Sequence, residues 1–397
     1  MDVSRFKRPM LWLVVAAWVT GCATTAPLAG TASAPAPAPT STLVATAPPT
    51  VATLASAPAP TSTPVPTAPP TVAAPATPPD YWPTEGWRTS TPEEQGVDAT
   101  QLERMLDAID DQQLDIHSVL VVRNGYIIAE SYFAPFQQET KHQLYSVTKS
   151  FISALIGIAI EEGYIDGVDD RVVDFFPGRE FANPDGRKEA MTLAHLLTMT
   201  SGLDWQEGVP IYQEMGRTRD WIHYVLDKPI TAEPGSQFNY CSGCSHVMSA
   251  IIQETTGMGT LEFAQSHLFE PLGISNVYWE TDRSGIPNGG WGIEMTPRDM
   301  AKFGYLYLND GVWDEQQLVP AAWVRTSVEG DSMFDDGWGY GYQWWIYPSF
   351  GAYAAIGLGA QLIFVMPDWE MVVVFTAAMD DADVLFELIE DFIVPAA

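Results

Sequence analysis

Ser146-Val147-Thr148-Lys149 sets a hydroxyl three residues before an amine. Residues i and i+3 of a helix share a face, so the Lys149 amine would lie beside the Ser146 oxygen. Burial disfavours an ammonium, and a lysine shifted toward neutrality can take a proton from a serine. A serine at a helix N-terminus also sits where partial positive charge stabilises a developing oxyanion. The alternative is a capping serine with a lysine that snorkels to solvent. Ser4-Arg5-Phe6-Lys7 has the same pattern in a stretch with no catalytic context, so the motif alone is weak. Phe238-Asn239-Tyr240-Cys241-Ser242-Gly243 follows the turn Glu233-Pro234-Gly235. A tyrosine in a loop before a helix can shuttle a proton if a nearby cation stabilises its phenolate; otherwise it is a packed aromatic. Gly357-Leu358-Gly359-Ala360-Gln361 leads into an apolar run. Its glycines either let a backbone N–H approach a ligand or form a plain turn.

Other chemistries lack their signatures. There is no Gly-x-Ser-x-Gly elbow, no His-Glu-x-x-His zinc site and no Gly-x-x-x-x-Gly-Lys phosphate loop. His117, His142, His195, His223, His246 and His267 are not spaced as metal-ligand pairs. Neither a metal nor a cofactor is expected. Cys241 and Cys244 form Cys-Ser-Gly-Cys beside Tyr240, readable as a disulfide, a reduced pair or half a metal site. In an oxidising compartment a disulfide would stiffen the Tyr240 loop.

The elements that must position these residues are mixed. Leu102, Met105, Leu106 and Ile109 recur at helical spacing within Asp98–Gln112. Ser118–Arg123 and Tyr126–Phe133 flank Asn124-Gly125, a hairpin turn signal. Phe151–Ile160 is apolar nearly all round and predicts a buried helix closed by Gly163. Helices are expected at 192–200, 211–226, 243–256, 260–269, 296–309, 320–328 and 382–393. Strands are expected at 340–347, 352–356, 360–366 and 371–377. Strands at both ends with helices between predict an α+β fold. One antiparallel sheet is built from both chain ends and flanked by terminal helices, with a mostly helical lobe inserted. Six aromatics (Trp291, Trp338, Tyr340, Tyr342, Trp344 and Trp345) either wall an acyl pocket or pack on this sheet. Trp291, among Gly289, Gly290 and Gly292, is the one expected to face a pocket.

The order Ser-x-x-Lys, Tyr-x-Ser, Gly-x-Gly resembles the serine β-lactamase and penicillin-binding-protein superfamily. It is most similar to class C β-lactamase-related esterases and amidases, including 6-aminohexanoate-dimer hydrolases. Thr192–Leu203 and Thr296–Gly304 add to the resemblance, which covers roughly 90–395. It implies that Ser146 is the acyl-accepting nucleophile. Lys149 would be its base, or the cation that keeps Tyr240 acidic. Tyr240 would share base duty and protonate the leaving group, and Ser242 would support that proton path. The N–H groups of Ser146 and Ala360 would form the oxyanion hole, with Gly357, Leu358 and Gly359 beside the substrate. Lys-Thr-Gly, the third motif of β-lactam-recognising members, is here Gly357-Leu358-Gly359, and no Lys or Arg follows Arg325. A carboxylate-bearing substrate would find no partner in that region. The reading is therefore a serine hydrolase cleaving a neutral or cationic ester or amide. A penicillin-recognising enzyme and a non-catalytic envelope-binding module are the alternatives.

The chain has 397 residues and a net charge of −31, which excludes a nucleic-acid binder working by phosphate neutralisation. The charge is unevenly spread. Arg5, Lys7 and Arg8 precede the apolar run Met10–Val19, and Val19-Thr20-Gly21-Cys22 resembles a bacterial lipobox. Residues 1–21 are thus expected to be a lipoprotein signal peptide, cleaved before an acylated Cys22. Residues 22–79 carry no charge, are rich in Pro, Thr and Ala, and predict a disordered tether. Cleavage would remove three positive charges and one negative, leaving −33 on residues 80–397, the expected hydrolase domain. Such an enzyme would sit outside the cytoplasm on a bacterial membrane, its partners a small ester or amide and its lipid anchor.

Overall fold

The computed structural model describes residues 81–330, 332–334 and 337–397. The expected signal peptide, Cys22 and the 22–79 tether lie outside the described residues. Three of the sheet's strands come from the N-terminal end: β1 (Arg88–Thr89), β2 (Ile116–Arg123) and β3 (Tyr126–Tyr132). The other six come from the C-terminal end: β4 (Ser332–Met333), β5 (Gly339–Tyr340), β6 (Trp345–Tyr347), β7 (Ala352–Gly357), β8 (Gln361–Met366) and β9 (Met371–Ala377). They hydrogen-bond in the order β1-β3-β2-β9-β8-β7-β6-β5-β4. The two ends meet where β9 pairs with β2, Val373 opposite Val121. The sheet is antiparallel except at one edge, where β1 runs parallel to β3.

The central strands are buried on both faces, which is why they read as continuous apolar runs rather than alternating ones. Successive side chains point to opposite faces. Val119, Val121, Phe364, Val373 and Phe375 enter a core with the terminal helices α1 (Ala99–Asp111) and, at the C-terminus, Asp383–Leu388. Leu120, Val122, Ile363, Val365, Val372 and Val374 enter the larger core shared with the helical lobe. That lobe is organised by α2 (Thr148–Glu161), α3 (Ser242–Thr256) and α4 (Pro297–Leu308).

Local signals act where the residues predict. Asp98 caps α1, its carboxylate accepting from the Thr100 N–H at 2.9 Å. Every residue of α2 from Thr148 to Ala159 is buried, and Gly163 at φ +77° follows its C-cap. Three expectations change. The strand expected over 340–347 is a hairpin, Gly339–Tyr340 antiparallel to Trp345–Tyr347. The helix expected over 211–226 is two, Val209–Arg217 and Trp221–Leu226. Thr218 turns extended between them and Asp220 caps the second by accepting from the His223 N–H at 3.0 Å. A small sheet of His142–Gln143, Ile293–Met295 and Tyr278–Trp279 was not expected, because strands of two or three residues carry no readable period.

Candidate active site

Ser146 sits in the 3₁₀ turn Tyr145–Val147 that runs into α2. Tyr145 takes φ +48°, a left-handed conformation in a non-glycine residue immediately before the serine. The turn is held from two sides. The Leu144 N–H donates to the Ile293 carbonyl at 2.8 Å. Gly357, ending β7, passes so close that a Cβ there would lie 2.1 Å from the Leu144 carbonyl oxygen. Only glycine permits this approach of the sheet to the turn.

Lys149 lies in the first turn of α2 and is 1% exposed. Its amine is 2.9 Å from Ser146 Oγ, 2.9 Å from Ser242 Oγ and 2.7 Å from the Gly290 carbonyl oxygen. Burial pulls its pKa down to about 8, with the Glu207 charge acting the other way. The amine also lies 4.8 Å from the centre of the Tyr240 ring. Burial pushes the Tyr240 phenol well above its usual range, although the Ser146 side chain it bonds pulls it down. Of the two, Lys149 therefore gives up its proton more readily and Tyr240 keeps its own.

Tyr240 and Ser242 flank the start of α3. Cys241 is its N-cap, accepting from the Cys244 N–H at 3.0 Å, and Cys241 and Cys244 are joined in a disulfide. Gly243 lets α3 pack tightly, since a Cβ there would meet Trp205 and Val225 at 2.6 Å. One member of the cluster escaped the sequence reading. Glu207 accepts from the Ser242 N–H at 3.1 Å and from the hydroxyls of Ser242 and Tyr212 and the indole of Trp205. Trp205 and Tyr212 are near it in sequence, but Ser242 is 35 residues on, and no spacing rule joins them.

These groups open onto a cavity of about 840 Å³. Ser146, Tyr240 and Ser242 line it, and its walls are largely aromatic: Trp205, Tyr212, Phe238, Trp291 and Trp345. Trp291 faces the cavity as expected, whereas Trp344 and Tyr340 pack in the core. Ile356, Gly357 and Leu358 line it, but Gly359 and Ala360 do not. Ala360 is 2% exposed and packs with Leu362 and Phe364 on the terminal-helix side of the sheet. The tight turn after β7, with Gly359 at φ +76° and Ala360 at φ +64°, carries it there. Ala360, expected to give the second oxyanion N–H, is thus not part of the cavity wall, whereas residues 356–358 of the same segment are. Among the described residues no Lys or Arg lines the cavity. Among the described residues no three His, Cys, Asp or Glu side chains gather as a metal site. The arrangement can activate a serine hydroxyl beside a neutral, apolar substrate.

The chain is similar to proteins already known. Residues 100–388 match the family described as Beta-lactamase. The chain is 26% identical over 286 residues to the 6-aminohexanoate-dimer hydrolase of Paenarthrobacter ureafaciens, spanning 66% of this chain and 73% of that one. It is 26% identical over 220 residues to esterase EstB of Burkholderia gladioli, spanning 48% of this chain and 56% of that one. Among solved structures it is similar to EstCE1, described as a hydrolase with promiscuous acyltransferase activity. That match has a TM-score of 0.63 and 19% identity, covering 74% of this chain and 98% of that one.

Proposed function

The chain belongs to the beta-lactamase family as a serine hydrolase of the esterase and amidohydrolase kind, and from that membership we propose that it cleaves neutral esters or amides through an acyl-enzyme on Ser146. Ser146 Oγ attacks the carbonyl carbon as its proton passes to Lys149 Nζ. The carbonyl π pair moves to oxygen, and the Ser146 N–H with a backbone N–H from 356–358 holds that oxyanion. Tyr240 gives its proton to the leaving oxygen or nitrogen as the C–O or C–N bond breaks. The proton held by Lys149 then restores Tyr240, and water releases the acyl group by the reverse proton path.

The observation that carries this reading is the buried Lys149 amine, 2.9 Å from the oxygen of a serine in the cavity wall. The exclusion of anionic substrates rests on a lining that holds the Glu207 carboxylate and, among the described residues, no Lys or Arg. Activated esters, amides and a β-lactam assayed beside Ser146→Ala test both parts. Neutral esters or amides are expected to turn over, with loss in the variant. Preference for a carboxylate-bearing β-lactam would replace this reading with the penicillin-recognising one.

The chain would work outside the cytoplasm, tethered by lipid on Cys22 through residues 22–79. The cationic head, short apolar run and Val19-Thr20-Gly21-Cys22 support that placement. Metabolic labelling with a fatty acid tests it: label is expected in the full chain and absent from Cys22→Ser.

A further inference from the structure

Hydrogen-bond direction around Lys149 is set by groups that leave little choice. Glu207 Oε2 receives the indole N–H of Trp205 and the backbone N–H of Ser242, neither of which can accept. Its Oε1 receives the hydroxyls of Tyr212 and Ser242. Four donors converge on one side chain, so Glu207 acts as an acceptor only. Ser242 has a single hydroxyl hydrogen, and it is committed to Glu207. Its oxygen can then only accept from Lys149, at 2.9 Å. The Gly290 carbonyl, at 2.7 Å, is also an obligate acceptor. A neutral amine has two N–H bonds and one lone pair. Both N–H bonds are taken by Ser242 and Gly290. The lone pair is left for the third neighbour, the hydroxyl of Ser146.

We propose that Glu207 is a positioning residue which, by holding the Ser242 proton, aims the Lys149 lone pair at Ser146. The assignment rests on the reading of Ser146 as nucleophile and Lys149 as base. It adds a group 61 residues beyond Ser146 in sequence that touches neither the substrate carbonyl nor the reacting oxygen. If Ser242 were free to turn, it could donate to Lys149 instead. The lone pair would then be spent on Ser242, and an N–H would face Ser146. The proton transferred is the same in either case, from Ser146 Oγ to Lys149 Nζ. Only the fraction of amine aimed to receive it changes.

The geometry makes the effect visible in a pH profile. Lys149 is faced by Glu207 and by Tyr240, and Tyr212 and Tyr340 stand behind them. The Glu207 carboxylate favours the ammonium, so its loss shifts the acid limb of activity to lower pH. Tyr212→Phe removes one donor from Glu207 but leaves its charge, now less neutralised, and shifts the limb the other way. A loop that merely held the fold together would not move the two variants in opposite directions.

The test is the rate of Ser146 acylation by a p-nitrophenyl ester, followed against pH for the wild type, E207Q, E207D and Tyr212→Phe, with thermal unfolding of each. The expected result for E207Q is an acylation rate lower by about 100-fold with little change in KM, because its amide can donate to Ser242 and free the Ser242 hydrogen. E207D is expected to recover much of the loss, since it restores an acceptor-only group. If E207Q does not fold, Tyr212→Phe carries the test through the upward shift of its acid limb. Wild-type acylation and an unmoved limb in a folded E207Q would overturn the assignment, as would an unmoved or downward limb in Tyr212→Phe. Ser146→Ala separates the two levels. An active Ser146→Ala defeats the underlying reading. An inactive Ser146→Ala beside a fully active E207Q defeats only the role of Glu207.

Discussion

At Lys149 one buried amine meets three oxygens, and its charge state decides what the site can do. Its pKa near 8 lies below that of a free lysine because burial penalises the ammonium. A base acts in its neutral form, which is present above that pKa and lost as pH falls. The kcat/KM for an activated ester is therefore expected to fall below about pH 8, and the free-enzyme pH profile measures it. Lys149→Arg should remove acylation at every pH, since a guanidinium does not deprotonate in proteins. Tyr240→Phe should slow amides far more than p-nitrophenyl esters, because a nitrophenolate leaves without a proton; equal losses would contradict an acid role for Tyr240. Ser146, Lys149, Tyr240 and Ser242 were legible in the sequence because two short motifs frame them. Glu207 was not, since its link to Ser242 exists only once the 203–208 loop folds against α3. Ala360 does not line the cavity, because the turn after β7, invisible in residue types, puts its side chain among those packed on the terminal helices.

Among the elements, the contact between β7 and the turn before α2 holds the serine to the sheet. A methyl at Gly357 would lie 2.1 Å from the Leu144 carbonyl oxygen, a backbone atom that cannot swing aside. Gly357→Ala is expected to cost roughly 1–3 kcal/mol of stability, as overpacking does, and to lower acylation further by shifting Ser146. Urea unfolding and ester kinetics on one preparation separate the two effects. The Cys241–Cys244 disulfide closes a very short loop, so the chain-entropy account gives it only about 2 kcal/mol. Cys241 lies between Tyr240 and Ser242, which gives the disulfide more weight in activity than in stability, and reductant is expected to lower kcat more than Tm suggests. Most elements could be read from periodicity, because long helices and doubly buried strands carry strong patterns. The break at Thr218–Asp220 could not, since capping by Asp220 overrode an apolar period that runs through it. The small sheet that steadies Leu144 is too short to announce itself.

Across the whole molecule, the charge of −31 is an average over unlike segments. All of the expected −33 of the cleaved chain lies on residues 80–397, where it opposes compaction. Raising ionic strength from about 0.01 to 0.15 M shortens the screening length from about 30 to 8 Å, and Tm is expected to rise with it. The same scarcity of cations leaves the cavity, among the described residues, without a lining partner for a substrate carboxylate, while the lysine at the serine is buried and bonded to three oxygens. The topology that joins both chain ends in one sheet brings Gly357 and Leu358 to a serine some 210 residues earlier. The most direct test of the account is intact-mass and peptide mapping of the full chain after reaction with a fluorophosphonate, beside Ser146→Ala. The account requires one phosphonyl adduct, on Ser146, and neither adduct nor ester turnover in the variant; an adduct elsewhere, or an active Ser146→Ala enzyme, would contradict it.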